Sequence, residues 1–258
     1  MIRYPAYAKV NIFLKITGTR GDYHTISSRF MRVKNLFDTL WFEPKATPEF
    51  EIRGKFDCEV HSNTIYKAYK YLQSATRSDK LSTFFENHAI YVDKQIPSFA
   101  GLGGGSSDAA TFLRMCNEEL ELGLSIEELA DIGANVGADV PFFVYGYESA
   151  NVSGIGEVVE RFTEALIDFE VITPDIQIST PSVYRYYREN LYAPITPEEA
   201  ARLESTSSRD ILTSINPKEA NDLYPSALGC YSELIEKEGW FFSGSGSSFF
   251  RIKEDTHG

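Results

Sequence analysis

Residues 99–110 read FAGLGGGSSDAA, four glycines and two serines between an apolar, strand-like run and a strongly helical one. Bare backbone at the start of a helix suits an anion. Free N–H groups and the positive helix end converge there, and glycine lets a ligand approach the main chain. Ser106 and Ser107 add hydroxyls able to hold phosphate oxygens or a phosphate-bound metal, and Asp108 falls in the first turn. Three readings compete. A merely flexible turn is disfavoured by so many glycines between two well-formed elements. A nucleotide P-loop needs a lysine after its glycines, and none follows. A dinucleotide turn needs glycine or alanine where Ser106 stands, and an acid closing a second strand about twenty residues on. The acids at that distance, Glu127 and Glu128, lie in a helical pattern instead.

Around this loop the chain runs to 258 residues, enough for one large or two modest domains. Its 43% hydrophobic and 24% charged residues are those of a soluble globular protein. A net charge of -12 argues against a broad nucleic-acid-binding face, so phosphate must be met by a few lysines and backbone amides. Cys58, Cys116 and Cys230 have neither zinc-ligand nor disulfide-framework spacing and read as reduced thiols. His24, His61, His88 and His257 are dispersed and mark no structural metal site. MIRYPAYAKV at the start carries no apolar targeting core, and no uninterrupted apolar run reaches membrane length. A soluble, cytoplasmic protein is expected.

AKVNIFLKI (8–16) alternates as a strand, with Val10, Ile12, Leu14 and Ile16 on one face and Lys9, Asn11, Phe13 and Lys15 on the other. FMRVKNLFDTLWF (30–42) and EFEIRGKFDCEV (49–60) read as further strands. Ile65, Ala68, Tyr69 and Leu72 recur at helical spacing, with Asn63 placed to cap. AIYVDKQI (89–96) is a strand ending at Pro97, and the helix after the glycine loop is expected to stop at Gly123. Ser125 and Glu128 form a capping box, and GADVPFFVYG (137–146) reads as a short buried strand or its approach. Strands then dominate from about residue 150. They are followed by a helical PSVYRYYREN (181–190), two more helical stretches, and a closing strand–glycine turn–strand. No repeat or linker interrupts the chain, so an α+β protein with mixed sheets, in two halves divided near residue 155, is expected.

IPSFAGLGGGSSDAA (96–110) resembles the phosphate loop of the small-molecule kinase superfamily that includes galactokinase, homoserine kinase and mevalonate kinase, the GHMP kinases. YAKVNIFLKITG (7–18) and GSGSSFF (244–250) are similar to that superfamily's first and third signatures, and the three stand in the expected order. AKVNIFLKITGTRGDYHTI, GLGGGSSDAA, GADVPFF and TPSVY most resemble the 4-diphosphocytidyl-2-C-methyl-D-erythritol kinase family. The resemblance implies a two-domain GHMP fold, 1–155 and 156–258, with the active site in the cleft between the domains. It also implies ATP- and Mg2+-dependent phosphorylation of the 2-hydroxyl of a cytidine diphosphate conjugate in the non-mevalonate isoprenoid pathway. The rival readings are another GHMP small-molecule kinase and a nucleotide-binding module without turnover. No nucleic acid or membrane partner is implied, and the protein would be a monomer or homodimer.

By the same resemblance Asp139 is the catalytic aspartate and Lys9 its cationic neighbour. Asn11, Tyr23, His24, Thr180, Pro181 and Tyr184 bind the acceptor, with the cytosine clamped by Tyr23, His24 and Tyr184. Asn63, Lys94, Pro97, Gly101, Leu102, Gly103, Gly104, Gly105, Ser106, Ser107, Gly244, Ser245 and Gly246 bind ATP. On residues alone, Asp139 reads as a loop cap or turn residue, Lys9 as a solvated strand charge and Asn63 as a helix cap. Likewise Lys94 reads as a solvated strand-end charge, Gly244–Gly246 as a hairpin turn, and the tyrosines as core. The chain departs from the family pattern twice: it has Arg20-Gly21-Asp22-Tyr23-His24 without a glycine before the tyrosine, and Phe99 where glycine is common.

Overall fold

The computed structural model describes residues 2–76 and 78–254. Two long strands open it, β1 (Tyr4–Arg20) and β2 (Tyr23–Pro44), which pair with each other. They are followed by β3 (Ile52–Gly54), α1 (Thr64–Thr76), α2 (Lys80–Asn87), β4 (His88–Asp93), α3 (Gly104–Glu119), α4 (Ile126–Val136) and α5 (Val140–Tyr145). Next come β5 (Ser149–Ser153), β6 (Val158–Arg161), β7 (Phe169–Ile172) and α6 (Thr180–Tyr186), which runs into a π-helical turn at Tyr187–Leu191. The chain ends with α7 (Pro197–Ser205), α8 (Ser208–Ser214), α9 (Pro217–Ala220), α10 (Leu223–Cys230), β8 (Phe241–Phe242) and β9 (Phe249–Ile252).

Contacts group these residues into two compact units, each assembled from separate stretches. The first comprises Met1–Ala8, Lys34–Ile96 and Gly103–Gly146, Met1 and Arg77 lying outside the described residues. In it the second half of β2 pairs antiparallel with β4, Leu40 opposite Val92, and β4 pairs in parallel with β3. Helices α1, α3, α4 and α5 pack on one another around a core that includes Leu72, Phe85, Phe112, Leu113 and Val140. The second unit comprises Lys9–Val33, Pro97–Leu102 and Tyr147–Gly258. There β2 pairs with β5 over Ser28–Met31, β5 pairs with β6, and β7, β9 and β8 form a separate antiparallel sheet. Leu14, Ile16, Val183, Leu223, Tyr224, Phe242 and Phe249 share its core.

Local chemistry explains most boundaries. Ile65, Ala68, Tyr69 and Leu72 are the buried face of α1, and Asn63 Oδ1 accepts the Ile65 N–H at 2.9 Å. Ser125 and Glu128 exchange both bonds of the capping box that starts α4. Elsewhere the structure corrects the reading. GADVPFFVYG is a helix, not a strand: Pro141, in the first turn of α5, has no N–H to give a sheet ladder but fits a helix start, and Gly146 at φ 67° stops it. The run 49–60 keeps only three strand residues. Helix α3 ends before Gly123, with Glu121 already left-handed at φ 47°. Four helices stand where two were expected near the end, and α2 is an element the pattern did not show.

Candidate active site

In the first unit the glycine run is itself the helix start. Gly103, at φ 73°, is the cap residue, Gly104 and Gly105 are the first helical residues, and the Ser107 N–H closes the first turn on the Gly103 carbonyl at 2.8 Å. The amides of Gly104, Gly105 and Ser106 precede that bond and have no carbonyl four residues back to use. Close packing favours glycine: a Cβ on Gly104 would stand 2.9 Å from Ile96 Cγ2, and one on Gly105 would stand 3.3 Å from Thr64 Oγ1. Thr64 Oγ1 also donates to the Gly105 carbonyl at 2.6 Å, tying α1 to the loop. Ser106 is half-buried and Ser107 buried.

Lys94 is not a solvated charge. Its ammonium pairs with Asp38 and, at 2.7 Å, with Asp108 Oδ2. Burial would lower the Lys94 pKa, but the two carboxylates outweigh it and hold the pKa above the ordinary lysine range. Asp139 is half-buried at the cap position of α5, yet its carboxylate caps none of that helix's amides. The capping role that sequence alone allowed it is therefore not the one it fills.

In the second unit three separated motifs meet. Lys9, expected on a polar strand face, is 3% exposed, because Ala8, Val10 and Ile12 and also Asn11 and Phe13 are covered on both faces of β1. Its Nζ donates to Asn11 Oδ1 at 2.6 Å and to the Gly101 carbonyl at 3.0 Å, 4.6 Å from the Phe30 ring centre. The Lys9 N–H reaches the Leu102 carbonyl at 3.0 Å, and Asn11 Nδ2 donates to Ser28 Oγ at 3.0 Å. The closing glycine turn lies against the same place. Ser243 Oγ donates to the Gly101 carbonyl at 3.0 Å and the Ser248 N–H to the Ala100 carbonyl at 3.1 Å. A Cβ on Gly101, at φ 72°, would stand 2.0 Å from the Ser243 carbonyl oxygen. Asn221 Nδ2 bonds the Phe242 and Gly244 carbonyls, both at 2.9 Å, and Ser245 Oγ lies 2.6 Å from Thr180 Oγ1 at the start of α6. Pro181 follows in the first helical turn, Gly246 sits at φ 95°, Leu102 is buried and Pro97 exposed.

The expected clamp is arranged differently from its expectation. Tyr184 stacks on His24 itself, with ring centres 5.2 Å apart and planes at 30°, while Tyr23 is 66% exposed. Tyr187 meets His24 edge-on at 5.9 Å and Tyr192 lies 6.3 Å away, two aromatics that sequence reasoning did not single out. His24 Nε2 is buried without a hydrogen-bond partner. Burial, and after it the charge of Arg188, hold the His24 pKa below the ordinary histidine value. Arg188 Nη2 also donates to the Asp22 carbonyl at 2.5 Å, holding the turn that lacks the family's glycine. Arg188 and Asp38 were missed, the second despite its place as one acid inside the apolar run NLFDTLWF.

Cys58, Cys116 and Cys230 are unpaired, and His257 lies outside the described residues. Among the described residues no group of three or more His, Cys, Asp or Glu gathers as a metal site, and no helix is long and apolar enough to cross a membrane.

Residues 63–147 match the family model of the GHMP kinases N terminal domain. A 4-diphosphocytidyl-2-C-methyl-D-erythritol kinase of Sulfurimonas denitrificans is 59% identical over 258 residues, covering 97% of each chain. The chain belongs to the 4-diphosphocytidyl-2-C-methyl-D-erythritol kinase family. The relative from Sulfurovum sp. is 48% identical over 252 residues, 96% of this chain and 98% of that one. A crystal structure of 4-(cytidine 5'-diphospho)-2C-methyl-D-erythritol kinase superimposes with a TM-score of 0.76 at 30% identity, covering 98% of this chain and 90% of the other. Mevalonate kinase of Methanococcus jannaschii, at 12% identity and a TM-score of 0.62 over 98% of this chain and 90% of that one, shares the fold. A kinase of the GHMP fold, with mixed helices and sheets, is therefore what the loop and its companion motifs build.

Proposed function

We propose that the protein transfers the γ-phosphoryl group of ATP to the 2-hydroxyl of 4-diphosphocytidyl-2-C-methyl-D-erythritol, a step of the non-mevalonate isoprenoid pathway. The observation that carries this reading is the meeting of three motifs on the Gly101 carbonyl of the phosphate loop, which accepts from Lys9 Nζ of the first strand and from Ser243 Oγ of the C-terminal glycine turn.

Phosphoryl transfer asks a protein mainly for in-line positioning and charge neutralisation. In this reading the free amides of Gly104, Gly105 and Ser106, with the Ser106 and Ser107 hydroxyls, hold the phosphates at the positive end of α3. The Gly101–Gly103 and Gly244–Gly246 segments supply bare backbone to the same nucleotide, with Leu102 and Pro97 shaping the loop and Asn63 and Lys94 near its adenosine. Asp139 orients the attacking hydroxyl and accepts its proton as the new O–P bond forms and the bond from the γ-phosphorus to the bridging oxygen breaks, ADP leaving. Lys9 offsets charge on the transferring group, a role a buried ammonium fills better than a solvated one. Asn11, Thr180 and Pro181 seat the acceptor. Tyr23 and Tyr184, the latter stacked on His24, present π-faces to the cytosine, each stack contributing about 1–3 kcal/mol, and the orphaned Nε2 of a neutral His24 is available to read the ring edge. Magnesium would be carried on ATP oxygens and waters, neutralising phosphate charge, with a loop serine hydroxyl as its protein contact.

The test is ADP release with Mg-ATP and 4-diphosphocytidyl-2-C-methyl-D-erythritol, beside mevalonate and homoserine. Turnover confined to the cytidine conjugate is expected. Turnover only on another acceptor would name a different GHMP kinase, and ATP binding without turnover would leave a nucleotide-binding module. Asp139→Asn is expected to lower kcat about 10²-fold or more, and Lys9→Met comparably. Wild-type turnover in either variant removes that residue from the chemistry.

A further inference from the structure

Two buried carboxylates and a half-buried ammonium meet where β4 gives way to the glycine loop. Asp38 is 0% and Asp108 3% exposed, and the Lys94 ammonium bonds both. Asp38 uses its other oxygen as well, accepting the Gln95 N–H at 2.5 Å and the Ile96 N–H at 2.8 Å. Asp108 Oδ1 has no partner. Stability does not explain the cluster, since buried ion pairs are commonly matched or bettered by apolar residues of similar volume.

Its place does. Lys94 Nζ lies 3.6 Å from where a Cβ of Gly104 would stand, and Ile96 is the side chain against which Gly104 packs. Gly104 is the first residue of α3. An ammonium at the positive end of a helix is misplaced unless anions offset it. Burial pushes the Asp108 carboxyl up to about 7 against the pull of Lys94, with Asp38 adding to the push. Asp38, with two amides on its second oxygen, is the more completely bonded of the two carboxylates, whereas Asp108 Oδ1 has no partner.

We propose that Asp38 is a positioning residue for the nucleotide: by holding the Lys94 ammonium and the Gln95–Ile96 backbone together, it sets the cation and the floor beneath Gly104 at the start of α3, where the nucleotide is received. The proposal rests on the glycine loop being the ATP site. Asp38 touches no substrate; it acts through Lys94 and Ile96.

Asp38→Asn keeps an acceptor for the two amides but withdraws the charge from Lys94. The expected result is a rise of about tenfold in KM for ATP, the scale of one charge-assisted hydrogen bond, with kcat within twofold and KM for the alcohol substrate unchanged. A lower thermal midpoint with KM for ATP unchanged would show a purely structural role and overturn the proposal. Because a bare, half-buried ammonium is able to unfold that variant, Asp38→Asn combined with Lys94→Met is measured beside it. The double variant is expected to regain most of the thermal midpoint while KM for ATP stays high, and a wild-type KM in it overturns the proposal. Calorimetry of wild type with ATP separates the two ideas: no binding overturns the site reading and this inference with it, while normal binding in wild type and both variants overturns this inference alone.

Discussion

Phe99 holds φ 54°, a left-handed conformation that is a genuine outlier for a bulky side chain, and it is 53% exposed. Glycine would adopt that angle without strain. Strain of this kind costs about 1–3 kcal/mol, while glycine's looser unfolded chain gives back roughly 0.5–1 kcal/mol of the relief. Phe99→Gly is therefore expected to stabilise the protein by about 1 kcal/mol, read as a higher urea midpoint at unchanged m-value. A lower midpoint would show that the ring's contacts outweigh the strain. Lys9 teaches the converse lesson. Its alternation in β1 was legible, but its burial was not, because alternation says which residues share a face and not whether that face meets solvent.

At the level of elements, the helices read from the sequence carry caps, Asn63 before α1 and the Ser125–Glu128 box before α4, while the box of Thr196 and Glu199 before α7 went unread. Helix α5 was missed because a six-residue apolar run has no readable period, and length alone favoured a strand. The β1–β2 turn is set from outside itself, by the Arg188 bond to the Asp22 carbonyl from the π-helical turn after α6. Arg188 also acts on His24, depressing its pKa after burial has done so. Arg188→Ala is expected to raise the His24 pKa toward the ordinary histidine value, followed by NMR titration of the imidazole. An unmoved titration would mean that burial alone keeps His24 neutral.

For the molecule as a whole, Asp108 ties folding to pH. Held at about 7 when folded, it keeps a proton over the range in which the unfolded chain, at about 3.9, has lost it. The folded state then binds the extra proton, so the stability from this group is full below about pH 4 and is lost as pH rises toward 7. Asp108→Asn cannot ionise there. The stability of wild type minus that of Asp108→Asn, from urea unfolding, should fall between pH 4 and pH 7 and level off above. The excess negative charge is common to both proteins, less this one group, so its self-repulsion largely cancels in the difference. A flat difference would place Asp108 in its ionised form throughout.

What the sequence determined by itself was the chemistry carried by short range: the anion-seeking glycines before α3, the caps, the buried face of α1 and the three kinase signatures in order. These depend on backbone geometry over a few residues, which neighbouring side chains dictate. The tertiary structure alone decided which distant groups share an environment. Asp38 meets Lys94 from 56 residues away, Ser243 meets Gly101 from 142, and Arg188 meets Asp22 from 166. Nothing local in a chain records such a partner. Packing turned Lys9 and Lys94 from apparent surface charges into groups with fixed partners, because only packing displaces the water that would otherwise have surrounded them.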